Sequence, residues 1–275
     1  MAFRQTPQIP MTKSSLYWDA VVRNLGDRYY FDATTGRYKS DCFYAFTIDC
    51  IGERGTGWLL KTDLFEEAFG TDELFSRFSP QNLAAVGIDI SPYVTHRART
   101  RAGTGSGHPV YSCADVRSLP FKPDSIDVVL SPSTLDHFED EVSFVTSIRE
   151  LARVLKPDGD LILIMDNKAY FFRELLKLKA RLGISPTPVG QTYSLEYLTS
   201  LLGREGFAIR RTDRIVHVPI NIVTSGMRLL ARILRHKAGP IFSRVDSMLH
   251  HGPFRSLTGI YLAVHAVKKE RSDAG

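Results

Sequence analysis

From about residue 57 onward, short apolar runs alternate with stretches of helical periodicity. WLLKTD at 58–63 predicts a strand, and LAAVGIDIS at 83–91 a second one that ends at Asp89. VYSCADV at 110–116 is a short third, ending near Asp115, and SIDVVLSPS at 125–133 a fourth with small polar residues at its end. DLILIMDN at 160–167 is almost wholly aliphatic, as a strand covered on both faces is. FAIRRTDRIVHVP at 207–219 and LTGIYLAVHAVKK at 257–269 are able to pair as an antiparallel hairpin, interrupted by a helical, basic segment at 220–251. Val142, Val145, Ile148, Leu151, Ala152 and Leu155 recur at helical spacing, and the Pro-Asp-Gly turn at 157–159 stops that helix. Further helices are predicted at 167–182, stopped by Gly183, and at 194–204, stopped by Gly206. Strands alternating with helices imply βαβ units and a mostly parallel sheet, so the fold class is α/β.

The first 50 residues, rich in Tyr and Phe, read as a helical cover; within them DCFYAFTIDCI at 41–51 sets Phe43, Phe46 and Cys50 on one helical face. This divides the chain into a cover or lid over 1–52 and a main domain over 53–275 carrying the insertion at 220–251. A hydrophobic content of 43% and a charged content of 24% are ordinary for a globular protein of 275 residues. The net charge of +5 is modest, but Arg210, Arg211, Arg214, Arg228, Arg232, Arg235, Lys237, Arg244 and Arg255 crowd the last quarter. Such a region suits an anionic substrate, a membrane surface or nucleic acid, against the ordinary reading of a solvated helix face.

Cys42, Cys50 and Cys113 are too few and too widely spaced for a zinc site or a disulfide framework, and each reads as a small core residue. No signal-peptide pattern opens the chain, and no run approaches the roughly 20 apolar residues of a membrane span. The expected setting is reducing and cytoplasmic.

In an open α/β sheet, ligands bind beyond the carboxyl ends of the strands. Asp89, after VGI, is placed to accept the hydroxyls of a ribose; NAD-binding folds put an acid there too. Asp115 is placed to accept an adenine amino group, with Val116 against the ring; capping a turn is the competing role. Together VGIDIS, CADVRSLPFKPDSIDVVLSPSTLDHFED and IRELARVLKPDGDLILIMDN resemble the class I S-adenosylmethionine-dependent methyltransferases, over roughly residues 58–167. The small-molecule subgroup containing the ubiquinone/menaquinone C-methyltransferases is the most similar. The resemblance implies a Rossmann-like, seven-stranded, mostly parallel sheet flanked by helices, with the last strand antiparallel. It also implies S-adenosyl-L-methionine as cofactor, with no metal. Asp89 would hold the ribose with Ile90 against the adenine, Asp115 and Val116 would flank the adenine, Ser131–Ser133 would line the methionine end, and 135–138 would floor the methyl site. The family usually has two glycines in the turn where this chain has Asp158 and Gly159.

The family's first strand ends in an acid followed by a G-x-G-x-G loop, which this chain lacks. Either FTIDCI is that strand with Gly52, Gly55 and Gly57 in its loop, or WLLKTD is the strand, Asp63 the acid, and LFEEAFG replaces the loop. The gap from Asp63 to Asp89 is 26 residues and from Asp49 to Asp89 is 40, which favours the second reading. It makes Thr62, Asp63 and Leu64 cofactor contacts, and leaves Lys61 or Thr62 to replace the glycine amides.

Methyl transfer is an in-line displacement in which the protein positions the acceptor and, where required, removes its proton. His137 is the candidate base, with pocket lining or capping as its alternative; His217 reads more simply as a satisfied strand-end histidine. Tyr29, Tyr30 and Tyr38 suit either a lid or ordinary core. Ile222, Met227, Leu230, Ile233 and Leu234 form an apolar stripe with arginines beside it, for packing or for peripheral contact with a membrane or lipid-like acceptor. The expected acceptor is a small molecule, apolar or anionic; nucleic acid is not expected, and the oligomeric state is left open. The alternatives are a catalytically silent partner of the same fold and a Rossmann-type NAD-dependent oxidoreductase.

Overall fold

The computed structural model describes residues 13–25, 33–52, 56–70, 74–81, 83–103, 109–138, 140–182, 191–220 and 238–270. Two helices, α1 (Lys13–Leu25) and α2 (Ala33–Ile51), precede the first strand, β1 (Gly57–Lys61). FTIDCI therefore lies in a helix, and Gly52, at φ 59, ends it. After β1 come a helical stub α3 (Phe65–Phe69), a 3-10 helix (Leu74–Gln81), β2 (Leu83–Asp89), α4 (Pro92–Ala102), β3 (Val110–Cys113) and β4 (Ile126–Pro132). A second 3-10 turn (Leu135–His137), α5 (Glu141–Val154), β5 (Leu155–Asp166), α6 (Arg173–Arg181), α7 (Leu195–Arg204), β6 (Phe207–Ile215), α8 (Ala238–His250), α9 (Arg255–Thr258) and β7 (Tyr261–Lys268) follow.

The seven strands form one sheet in the order β3-β2-β1-β4-β5-β7-β6. β7 alone runs antiparallel, inserted between β5 and β6, so the expected hairpin forms. Alternate residues of each central strand face opposite layers, because side chains in a strand repeat every two positions. Leu59, Val128, Leu130, Ile162 and Ile164 meet the layer holding α2, α3 and α4, with Phe43 and Phe46 at its centre. Leu60, Val129, Leu161 and Leu163 meet Phe144, Ile148 and Leu151 of α5 and Leu198 and Leu202 of α7. Both faces are covered, which is why β5 reads as a continuous apolar run.

Several expectations are corrected. The helix expected at 167–182 begins at Arg173. Asn167 donates its amide to Ser256 and Gly259 carbonyls while its Oδ1 accepts from the Ala169 N–H, an Asx turn that holds the next residues out of the helix. Within α5, Val142 is 75% exposed and Phe144 takes the buried position. The Pro-Asp-Gly turn is an irregularity at the start of β5, where the register with β4 shifts. The apolar stripe from Ile222 to Leu234, Tyr29, Tyr30 and Gly183 fall outside the described residues; α8 covers the end of the expected insertion.

Asp158 has φ 58, a left-handed conformation that suits glycine. Asp158→Gly is expected to raise stability by about 0.5–1 kcal/mol in urea unfolding, since aspartate tolerates this region only at some cost. A loss of stability would show that the Asp158 side chain contributes more than its backbone strain removes.

Candidate cofactor site

The carboxyl ends of β1, β2, β4 and β5 deliver Asp63, Asp89, Ser131 and Asp166 to one edge of the sheet. Gly87 in β2 lets the neighbouring layer close in: a Cβ there would lie 2.4 Å from Leu64 Cδ2 and 2.6 Å from Phe75. Leu64 is thereby seated against β2, and its N–H donates to Asp89 Oδ2 at 3.2 Å. The Ser91 N–H donates to Asp89 Oδ1 at 2.8 Å. Burial, reinforced by the charge of Asp63, pushes the Asp89 carboxyl up to about 7. Ile90 is half-buried beside it.

Ser91 caps α4 by accepting from the Val94 N–H at 3.1 Å, and its hydroxyl donates to Asp19 of α1. Asp19 also accepts from the Tyr93 N–H at 3.3 Å, while the Arg23 guanidinium lies 4.4 Å from the Tyr93 ring centroid. The adjacent Trp18 meets His137 edge-on, with ring centroids 4.9 Å apart. The helix α1 is thus pinned to both the β2 side and the β4 side of this edge, and Nδ1 of His137 is buried without a partner.

Where a glycine loop would stand, α3 supplies Phe65, Glu66 and Glu67. The Phe65 N–H donates to Asp63 Oδ1 at 3.0 Å, which starts the stub. Lys61, fully buried, donates to Glu67 Oε2 at 2.7 Å and to the Asp63 carbonyl. Burial opposes its charge, but Glu67 and Asp63 together outweigh burial and hold the ammonium above its ordinary pKa. The idea that Lys61 or Thr62 replaces the glycine amides fails for this arrangement, because both are spent within the protein. The Thr62 hydroxyl bonds Ser131 Oγ at 2.9 Å and Thr134 Oγ1 at 2.8 Å, so Thr62 and Ser131 tie β1 to β4. Lys39 of α2 pairs with Glu66 at 2.6 Å. Lys39, Lys61, Asp63, Glu66 and Ser133 line a cavity of about 30 Å³.

At the end of β3, Asp115 is engaged by Arg117, whose guanidinium donates at 2.6 Å and 3.0 Å, and Val116 is buried. The Ala114 N–H bonds the Asp89 carbonyl at 2.9 Å and keeps the two strand ends together. Sequence reasoning missed a buried carboxyl pair. Asp136 is fully buried, accepts from the Asp166 N–H at 3.0 Å through Oδ2, and leaves Oδ1 unpartnered. Burial, then Asp136, pushes Asp166 up to about 7 against the pull of Lys39 and Arg173. The signal was present: Asp166 ends an aliphatic strand as Asp89 does. His217, by contrast, bonds Thr258 and the Arg214 carbonyl, both at 2.8 Å, which satisfies its ring. Tyr38 is core, with its hydroxyl on Asp246 and on the Val218 N–H. The three cysteines are free, and burial raises every thiol, Cys42 to about 12, so none is poised as a nucleophile. Among the described residues there is no metal-binding cluster and no helix long and apolar enough to cross a membrane.

A seven-stranded sheet of this order with a reversed seventh strand and acids at its strand ends defines a Rossmann-like methyltransferase fold. Residues 66–163 match the family described as "Methyltransferase domain". Over that segment, about a third of the chain, it is similar to the class I S-adenosylmethionine-dependent methyltransferases, a family whose cofactor is S-adenosylmethionine. It is 35% identical over 91 residues to malonyl-acyl-carrier-protein O-methyltransferase of Halorhodospira halophila, covering 33% of this chain and 29% of that one. It is 37% identical over 76 residues to the uncharacterized methyltransferase YodH of Bacillus subtilis, covering 27% and 30%. The matches span between 26% and 34% of the curated relatives' own lengths. Among solved structures, an S-adenosylmethionine-dependent methyltransferase of Thermotoga maritima superposes with a TM-score of 0.58 at 15% identity, covering 93% of this chain and 99% of that one. A chain from the complex of the Haloferax volcanii Trm112 methyltransferase activator with a methyltransferase gives 0.56 at 17% identity, covering 89% and 97%. At these identities the likeness is one of fold.

The family's cofactor fits this edge in its nucleoside half. Asp89, held by two backbone N–H groups beside Ile90, presents a carboxyl at the strand end. On the side where the methionine half would lie, Lys39 and Ser133 line the cavity in place of glycine amides.

Proposed function

We propose that the chain binds S-adenosylmethionine at the ends of β1, β2 and β4 and catalyses methyl transfer to a small-molecule acceptor. The observation that carries this is Asp89, fixed between the Leu64 and Ser91 N–H groups inside the segment that matches the methyltransferase family. When bound, the cofactor supplies an electrophilic methyl group on a sulfonium. Asp89 accepts from the ribose hydroxyls with Ile90 nearby, and Val116 packs on the adenine. Asp115 accepts the adenine amino group once Arg117 turns aside. Thr62, Asp63 and Leu64 form the wall of the site, and Ser131 acts through the bond that joins β4 to Thr62. Lys39 offers its ammonium to the cofactor carboxylate in exchange for Glu66. Trp18 shields the site from water, and His137, together with the Asp136–Asp166 pair, supplies the proton-accepting groups. In this reading residues 1–52 are the cover and 53–275 the catalytic domain.

Titration calorimetry tests the assignment. The protein is expected to bind S-adenosylmethionine, and Asp89→Ala to weaken binding about 10- to 100-fold, the 1.5–3 kcal/mol of a hydrogen bond to a charged group. No binding by the unaltered protein sinks the reading; unchanged affinity in the variant removes Asp89 from it. A second reading is favoured by the stub α3 and the Lys61–Glu67 pair, which occupy the place of the loop: a domain of this fold that binds without turnover. Binding with no methylation across acceptor classes would support it.

A further inference from the structure

The helix α6 has no buried residue, although its sequence is strongly amphipathic. Phe172 and Leu176 pack partly against the core. Phe171, Leu175, Leu178 and Leu182 do not: they are 72%, 42%, 50% and 64% exposed. At about 100° per residue Leu175 and Leu178 stand about 60° apart on one face of the helix, and Phe171 and Leu182 adjoin its two ends. The stripe extends beyond α6, because the Phe171 N–H bonds the Leu257 carbonyl at 2.8 Å and brings α9 alongside. There Phe254 is 66% and Leu257 39% exposed. An exposed apolar surface of this continuity marks a docking site rather than scattered surface residues.

Charge decides the partner. Residues 173–181 carry Arg173, Lys177, Lys179 and Arg181 against one acid, Glu174, which is shared by Arg173 and Lys177. At helical spacing Lys179 and Arg181 fall on the two sides of that apolar face, while Arg255, exposed on α9, pairs with Asp213 at 2.9 Å. A two-fold contact between copies would set this cationic face against itself. An apolar stripe flanked by cations matches a bilayer surface bearing anionic headgroups, with the leucines and phenylalanines at the acyl boundary and the cations at the phosphates. We propose that α6, with the adjoining Phe254 and Leu257, is a peripheral docking surface for an anionic lipid bilayer. Because α6 follows directly from the end of β5 and Asp166, docking sets that end of the site toward the membrane.

Sedimentation with vesicles tests this on the full chain, with phosphatidylcholine alone compared with phosphatidylcholine containing phosphatidylglycerol. The protein is expected to partition onto the anionic vesicles, to release as salt is raised, and to bind neutral vesicles weakly. Leu175→Asp with Leu178→Asp is expected to weaken partitioning at least about tenfold while the circular dichroism spectrum and thermal midpoint hold, since both side chains are exposed. Lys179→Glu with Arg181→Glu is expected to lower it several-fold and to flatten the salt dependence. Val142→Asp, exposed on α5, serves as the control and is expected to bind as the parent does. Equal partitioning of the double aspartate variant and the parent would overturn the proposal. So would no partitioning at all, or a dimer that the aspartates dissolve. Partitioning is read without methylation, so the outcome is independent of the proposed function.

Discussion

Lys61→Met is expected to lower the free energy of unfolding by about 3–5 kcal/mol, because it leaves Glu67 buried and charged with no partner. Lys61 is wholly buried, Glu67 is 1% exposed, and the two meet at 2.7 Å. Oε1 of Glu67 is already unpartnered, so the carboxylate has no other donor to turn to. Removing both charges is a different matter, since well-packed apolar residues of similar volume often match or exceed a buried ion pair. Lys61→Met combined with Glu67→Leu is therefore expected to recover most of the loss in urea unfolding. A double variant as unstable as the single one would show that the pair holds α3 by something other than charge compensation.

The second large effect concerns pH. Asp166 titrates near 7 in the folded protein, for burial and the neighbouring Asp136 disfavour its charge. In an unfolded chain it titrates near the ordinary aspartate value of about 3.9. Between these values the folded state holds a proton that the unfolded state has released. Stability is therefore full below about pH 4 and falls as pH rises through 7, by on the order of 2–4 kcal/mol for this group. Asp166→Asn is expected to remove that slope: relative to the parent, the variant gains stability as unfolding is measured from pH 5 to pH 8. Asp136→Asn is expected to act in the same direction by removing the opposing charge. Parallel pH profiles for parent and Asp166→Asn would show that Asp166 is not held protonated. Lys39 and Arg173 pull the other way, and in this geometry they do not prevail.

Much of the architecture was legible because its signals are local. Aliphatic runs such as 160–167 reveal a doubly covered strand, and the 26-residue gap between Asp63 and Asp89 separated the strand from the helix that imitates it. The alternation in 207–215 identified β6 and its pairing with the last strand. What could not be read depends on partners far apart in sequence. That Thr62 and Ser131 bond each other rather than a ligand, that Asp115 is held by Arg117, and that Trp18 reaches His137 are outcomes of packing. Asp166 is visible as a strand-end acid, but the sequence does not announce that another buried carboxyl lies against it. The start of α6 is hidden from the sequence for a comparable reason, since the Asn167 turn is completed by carbonyls some ninety residues later.

The position of β7 bears on how the chain is assembled as it is made. β7 lies inside the sheet, paired to β5 on one side and β6 on the other, yet it is synthesised after both. Until it emerges, β6 has no neighbour and the edge of β5 stays open. The five parallel strands are free to gather early, but the sheet closes only when residues 261–268 are available. Non-local pairing of this kind slows folding and exposes strand edges meanwhile. On a ribosome the last strand is therefore the keystone, and a nascent chain halted before it carries an unpaired, aggregation-prone edge.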